Sequence, residues 1–228
     1  MAILKNKTAL VTSAGEYMGT AIADLFAREG AEVICDYGAE YSDGDLAKLL
    51  PAGPTDIVVA NFAEPPRTAA VDNIADQDWQ LLFDKLVHPL MRLVRAVAGP
   101  MKARGHGKII AVTSAAPLRR IPHASAYCAA RGAQNGYLRA AGLELAKYNV
   151  QVNAIAQNYV RNSTYYPDDM VEKAEFTRHL QQWVPTKKVA DGAETSAAGA
   201  LFGRPQLHPY GGPDFATCWW LDHHYRIG

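Results

Sequence analysis

The sequence predicts an α/β protein built on a doubly wound parallel sheet, and three observations carry that expectation. Segments that read as strands and as helices alternate along the chain. The strand segments are near-continuous apolar runs, as a sheet covered by helices on both faces requires. The first helical stretch repeats Ala21, Ile22, Leu25 and Phe26 at helical spacing and is closed by Gly30.

In order, Thr8–Val11 is a short buried strand and Met18–Glu29 the first helix. Glu32–Cys35 is a second strand, ending at Asp36, and Asp56–Ala60 is a third. Asp78–Lys102 reads as a long helix adjusted near Pro89, because proline lacks the amide and its ring clashes one turn back. Lys108–Val112 is a strand, Ala124–Lys147 a long Ala-rich helix, and Val150–Ile155 one more strand. In such sheets ligands bind beyond the carboxyl ends of the strands. The residues to read first are therefore Thr12–Gly19, Asp36, Asn61, Thr113–Ser114 and Ala156–Val160.

The chain has 228 residues, of which 49% are apolar and 20% charged, a balance suited to one medium globular domain. Lys plus Arg and Asp plus Glu are 23 each, so no net positive charge points to nucleic acid. Cys35, Cys128 and Cys218 are too few and scattered for a disulfide framework or a zinc site, which fits reduced thiols in a cytoplasmic protein. No segment is long and apolar enough to span a membrane, and the start runs into a strand rather than a signal peptide. His123 reads as a surface residue. Asp222, His223 and His224 are adjacent, so they cannot all face one ion from a regular element, and no metal site is expected.

The loop after the first strand reads Thr12-Ser13-Ala14-Gly15-Glu16-Tyr17-Met18-Gly19. A nucleotide-binding loop needs glycines there so that the backbone can approach a diphosphate at a helix N-terminus. Tyr17 puts a ring where backbone contact is needed, and Glu16 adds a repelling charge. The loop is expected to be occluded. Asp36, with that loop blocked, reads as a surface or capping carboxylate rather than a ribose ligand.

Ser114 follows the fourth strand segment, with Tyr127 thirteen residues on and Arg131 four after that. Tyr127 and Arg131 share one helix face. A free tyrosine, with a pKa of roughly 10, is a poor base at neutral pH, and a nearby permanent guanidinium favours its phenolate. Ser114 supplies a hydrogen bond to a substrate oxygen.

These residues carry a family resemblance. The chain resembles the short-chain dehydrogenase/reductase superfamily and, more narrowly, its halohydrin dehalogenases of the B type. Dehydrogenases of the superfamily carry Ser, Tyr and Lys with a loop Thr-Gly-x-x-x-Gly-x-Gly. The dehalogenases carry Ser-x12-Tyr-x3-Arg with a loop Thr-x4-(Phe or Tyr)-x-Gly. Ser114, Tyr127 and Arg131 match the first spacing, and Thr12, Tyr17 and Gly19 the second. Asn61 resembles the superfamily's structural asparagine, whereas the asparagine of the long middle helix has no counterpart near Leu86 and Val87. The resemblance spans roughly residues 6 to 195.

The resemblance implies a single Rossmann-like catalytic domain over residues 1–195 and dehalogenation of vicinal halohydrins to epoxides, with no redox cofactor. Ser114 and Tyr127 would bind the hydroxyl, and Tyr127, helped by Arg131, would take its proton. The loop after the last strand segment, Gln157, Asn158, Tyr159 and Val160, would line the halide site, with Tyr17 closing it and Tyr166 at the substrate mouth. By reversibility azide, cyanide or nitrite would open an epoxide. A homotetramer is implied, with the two long helices pairing between subunits. The alternatives are an NAD(P)-dependent short-chain dehydrogenase with an unusual phosphate loop and a non-catalytic relative.

Residues 196–228 form an atypical tail. Gly203–Pro213 holds three prolines and three glycines in eleven residues, which argues against the family's last strand. Cys218-Trp219-Trp220-Leu221-Asp222-His223 can be encoded as TGC TGG TGG CTG GAC CAC, which one base on reads Ala-Gly-Gly-Trp-Thr, similar to the family's ending. The tail is thus expected to reflect a shifted reading frame.

Overall fold

The computed structural model describes residues 2–38, 41, 46, 48–50, 53–119 and 121–204. Five strands, β1 (Thr8–Val11), β2 (Glu32–Cys35), β3 (Ile57–Asn61), β4 (Gly107–Ser114) and β5 (Val150–Gln157), form one sheet in the order β2-β1-β3-β4-β5. All four pairings are parallel. The expected doubly wound α/β architecture is therefore present. The helices are α1 (Gly19–Arg28), α2 (Asp76–Leu82), α3 (His88–Arg104), α4 (Ala116–Arg119), α5 (Ser125–Ala146), α6 (Asp168–Val171), α7 (Ala174–Trp183) and α8 (Gly192–Gly203).

Strand residues alternate between two cores, as the period of two dictates. Ile57 and Val59 join Ala9, Val11, Ile110 and Ile155 under α1 and α8, against Ile22, Phe26 and Phe202. Val58 and Ala60 join Leu10, Ile109, Val152 and Ala154 on the other face, under α3 and α5, against Leu90, Leu93, Leu138 and Leu145. Both faces are dry, which is why the strands read as unbroken apolar runs.

The adjustment expected near Pro89 takes the form of a single π-helical stretch, Phe83–Val87, between α2 and α3. The amide of His88 reaches back to Phe83 O, five residues away. The widened turn gives the Pro89 ring room, and the Leu86 carbonyl in that stretch accepts from Gln134 Nε2 of α5 at 2.7 Å. A second proline, Pro100, lies inside α3, and the sequence reading passed over it.

Strands β4 and β5 each run two residues past the expected ends at Val112 and Ile155, because they pair along their whole length down to Ser114 opposite Gln157. Neither segment alone shows that pairing. It sets two candidate site residues side by side at the carboxyl edge of the sheet.

Asn61 pins the first loop to that edge. Fully buried at the end of β3, it donates from Nδ2 to Ser13 O (3.1 Å) and Glu16 O (3.0 Å) and accepts from the Met18 amide (3.3 Å). Gly19, which opens α1, has no room for a side chain, since a Cβ would stand 2.4 Å from Ser13 O.

Helix α8 runs across residue 195, the expected edge of the domain, and carries Ala200 and Phe202 into the core beside α1. Its N-terminus is a capping box between Asp191 and Glu194. The doubtful last strand, the frame-shift reading, Trp219, Trp220 and the Asp222-His223-His224 run all fall outside the described residues. Among the described residues, no helix is long and apolar enough to cross a membrane, and no cluster of His, Cys, Asp or Glu suits a metal ion.

Asn61→Ala leaves the buried Met18 amide without its acceptor and takes one of two donors from each of the Ser13 and Glu16 carbonyls. A loss of unfolding free energy of about 2 kcal/mol is expected, read from the shift of the urea midpoint at unchanged m value.

Candidate active site

Helix α5 begins at Ser125, so Tyr127 lies in its first turn and Arg131 one turn further on the same face. Both are buried, and Arg131 has no exposed surface. Its guanidinium meets only neutral groups among the described residues. Nε donates to Tyr127 Oη at 3.1 Å. Nη1 donates to Phe62 O at 3.2 Å and to Gln134 Oε1 at 2.8 Å. Nη2 donates to Tyr165 Oη at 2.8 Å. Burial pushes Arg131 toward its neutral form, but the facing phenols of Tyr127, Tyr165 and Tyr17 outweigh it, and its pKa stands above the usual arginine value.

Four tyrosines surround one cavity of about 130 Å³, together with Ser114 and Asn158. Tyr17 and Tyr165 stack tilted at 5.0 Å, and the Tyr127 and Tyr165 rings lie 6.3 Å apart. Burial holds the phenols of Tyr17, Tyr165 and Tyr166 well above the ordinary tyrosine pKa, the nearby Arg131 charge offsetting only part of this for the first two. Tyr165 is also bound as a neutral phenol. Its hydroxyl donates to Glu64 O (2.8 Å) and accepts from Glu64 N (3.1 Å) as well as from Arg131. The phenol of Tyr17 donates to Thr113 O at 3.3 Å. Tyr127 faces the same cavity with its oxygen held only by Arg131 among the contacts just described.

Ser114 Oγ accepts from the Ala116 amide at 3.1 Å, which leaves the hydroxyl proton for another oxygen. Gln157, opposite it in the sheet, gives Oε1 to the Thr195 hydroxyl at 3.0 Å. Of the residues expected from the sequence, Ser114, Tyr127, Tyr17, Gln157, Asn158 and Tyr166 share this cavity. Tyr159 and Val160 do not. They line a neighbouring cavity of about 270 Å³, with Asn158 common to both. The Val160 amide is spent on Asn158 O at 3.1 Å. Tyr165, Gln134 and Arg119 went unnamed in the sequence reading. Gln134 stands three residues after Arg131 on the helix, a spacing that could have found it. Nothing in the pair Tyr165-Tyr166 tells which ring turns toward the cation.

The first loop is folded onto itself. The amides of Ser13 and Ala14 go to Asp36 Oδ2 (3.3 Å) and Asp36 O (2.6 Å), that of Glu16 to Ser13 O, that of Met18 to Asn61 Oδ1, and that of Gly19 to Glu16 O. Ser13 and Tyr17 keep left-handed φ of 46° and 52°, a conformation that suits glycine, at two of the three places where the dehydrogenase loop pattern has glycine. The Tyr17 side chain then crosses from β1 to the end of β4, over the crevice where such sheets hold a dinucleotide. Of the two readings of Asp36, the surface one is corrected and the capping one holds. Asp36 is buried, and its carboxylate clamps the amides of Ser13 and Gly38 and accepts the Tyr41 hydroxyl. His123 is exposed as expected. With the loop amides turned inward, Asp36 committed and the Tyr17 ring in the crevice, these residues do not fit a nicotinamide dinucleotide.

The open parallel α/β sheet, with Ser114 and Tyr127 at its carboxyl edge, is matched by a known family. The family model for short chain dehydrogenase matches residues 45–169, and the chain belongs to that family. Nodulation protein G of Rhizobium sp. (strain N33) is 26% identical over 225 residues, covering 86% of this chain and 89% of that protein. Dehydrogenase/reductase SDR family member 4 of Bos taurus is 29% identical over 189 residues, covering 70% and 68%. Among solved structures, one described as a dehalogenation enzyme superposes with a TM-score of 0.83 at 24% identity, over 89% of this chain and 93% of that one. A halohydrin dehalogenase bound to ethyl (2S)-oxiran-2-ylacetate superposes with a TM-score of 0.80 at 24% identity, over 88% and 91%. At these identities the superpositions speak for the fold.

Tyr165→Phe removes one acceptor from Arg131 and both contacts to the Glu64 backbone. A loss of about 2 kcal/mol in denaturant unfolding is expected, with the far-UV spectrum unchanged.

Proposed function

We propose that the chain is a cofactor-independent halohydrin dehalogenase, acting on vicinal halohydrins and, in reverse, opening epoxides with small anions. The observation that carries this reading is the pairing of a self-closed first loop, with Tyr17 across the crevice, and Ser114 and Tyr127 on the same cavity with Arg131 buried behind Tyr127 and bonded to its oxygen. Hydride transfer needs a carrier in that crevice, whereas an internal displacement needs only a base, a hydroxyl donor and a place for a leaving anion.

Ser114 donates a hydrogen bond to the substrate hydroxyl oxygen, and Tyr127, acting as the phenolate, takes the proton from that hydroxyl and becomes the phenol. The oxygen attacks the neighbouring carbon from behind, the new C–O bond closes the epoxide, and the C–X electron pair leaves with the halide. Products are epoxide, halide and a proton that Tyr127 returns to water. The negative charge that the Tyr127 oxygen carries before it takes the proton lies 3.1 Å from Arg131 Nε, among buried side chains where that interaction is screened less than in water. The halide leaves toward the loop of Gln157 and Asn158. The resemblance to the family is the ground for the further proposal of a homotetramer in which α3 and α5 pair between subunits, and the few scattered cysteines are the ground for a cytoplasmic setting.

The named curated relatives include a dehydrogenase/reductase, which favours the rival reading of an NAD(P)-dependent short-chain dehydrogenase. Two measurements decide between them. Halide release from 1,3-dichloro-2-propanol is expected with no cofactor added, and calorimetric titration with NAD or NADP is expected to show no micromolar binding. Saturable micromolar binding without halide release would replace the dehalogenase by the dehydrogenase.

Tyr127→Phe removes one oxygen and is expected to reduce halide release by at least about a hundredfold, the usual scale of a lost general base, with the fold intact. Near-normal turnover would take Tyr127 out of the mechanism. Arg131→Lys exchanges a permanent cation for one that deprotonates, more readily when buried. Activity in that variant is expected to fall off on the alkaline side at lower pH than in the parent, read from halide release across a pH series.

A further inference from the structure

We infer that Arg119 is a positioning residue that fixes the Asn158 amide so that its NH2 end, never its oxygen, faces the anion in the cavity. This rests on the dehalogenase reading for the identity of that anion, and deepens it.

The two ends of an asparagine amide are nearly the same size and opposite in chemistry, one an acceptor and one a double donor. An unrestrained Asn158 would offer either end. Arg119 Nη1 donates to Asn158 Oδ1 at 2.5 Å. A guanidinium has donors only, so the atom of Asn158 that it touches must be the oxygen. A flipped amide would set N–H against N–H beside a full positive charge. The NH2 group is left as the free end, and among the described residues no protein acceptor takes it. Asn158 lines the same cavity as Ser114 and Tyr127.

Arg119 is itself held. It closes the short helix α4, and its Cζ lies 5.1 Å from the centroid of the Tyr159 ring. The Tyr159 hydroxyl pairs with His179 Nε2 at 2.7 Å, and its ring packs on Tyr166 at 5.3 Å and Phe176 at 6.0 Å. Tyr159, which does not line the cavity, thereby serves it from behind as the platform for the arginine. In the forward reaction the departing halide gains charge as the C–X bond breaks, so a fixed donor acts on the transition state more than on bound substrate. In epoxide opening the same NH2 end receives the incoming anion.

The test uses the full-length chain and bromide as probe. Bromide binding is measured by bromide NMR line broadening, and halide release from a vicinal bromohydrin is followed separately. Arg119→Met keeps the length of the stem and removes the donors. It is expected to weaken bromide about tenfold, the scale of one charge-assisted hydrogen bond, and to lower kcat with KM nearly unchanged. Arg119→Lys, still a donor only, is expected to restore most of both. Adding Asn158→Ala to Arg119→Met is expected to cost little more, because the two act as one unit. Should Arg119→Met fail to fold, Arg119→Gln replaces it. Its amide accepts as well as donates, so Asn158 is free to turn and the same loss is expected. Unchanged bromide affinity in the Met or Gln variant, fully additive losses, or no bromide binding by the parent chain would each overturn the inference. A parent that binds bromide through Arg119 but releases no halide retires the dehalogenase reading and keeps the orientation. A parent that releases halide alongside an unaffected Met variant retires the orientation alone.

Discussion

A fully buried guanidinium with no carboxylate beside it among the described residues is the constraint on which this site depends. Removing a cation from water costs several kcal/mol, and the usual remedy is an acid partner. Arg131 instead meets two phenol oxygens, a backbone carbonyl and an amide oxygen. Those partners come from α5 itself, from the segment after β3 and from the segment after β5, so one cation ties three elements together at the carboxyl edge of the sheet. A carboxylate there would neutralise the charge permanently. Dipoles and phenols hold the cation and leave its field for whatever negative charge arises in the cavity.

The first loop obeys a second constraint of the same kind. Ser13 and Tyr17 hold a backbone shape that costs a residue with a side chain roughly 1–2 kcal/mol each. The strain is offset by the bonds that Asn61 and Asp36 make to the loop, which would be lost if the backbone relaxed. What the glycine-like shape obtains is the placement of one phenol ring across the crevice, on Thr113 O and within 5.9 Å of Arg131 Cζ. Backbone geometry suited to approaching a phosphate is retained, and a side chain fills the space it would have opened.

Much of this was legible in the sequence, for identifiable reasons. Unbroken apolar strands and a well-spaced first helix give the doubly wound sheet, because burial on both faces leaves no room for alternation. Ser114, Tyr127 and Arg131 stand out because strand end and helix turn fix their relative places. What one segment alone could not show depends on pairing. The last two residues of β4 and β5 are strand only because each has the other. The sequence leaves Asp36 open between a surface and a capping role, because its partners, Ser13, Gly38 and Tyr41, meet it only after the first loop has folded over. Tyr165 was missed for Tyr166, since an irregular segment has no period to say which ring turns inward. An adjustment near Pro89 is legible in kind, but the bond that the Leu86 carbonyl in that stretch accepts from Gln134 belongs to the contact between two helical segments.

Four phenols around one cavity pose a problem of assignment that geometry resolves. Tyr17 spends its proton on Thr113 O, and Tyr165 spends its own on Glu64 O. A phenol that already donates to a carbonyl is poorly placed to accept a proton, since it must first lose one across a buried bond. Tyr166 is packed against the Tyr159 and Phe176 rings, and burial favours its neutral form. Tyr127 alone combines the cavity, the helix turn that fixes it against Arg131, and an oxygen that receives the guanidinium Nε–H. The other three tyrosines dry the cavity and raise the worth of that one charge contact. They make the arginine specific to a single base by having nothing to gain from losing a proton themselves.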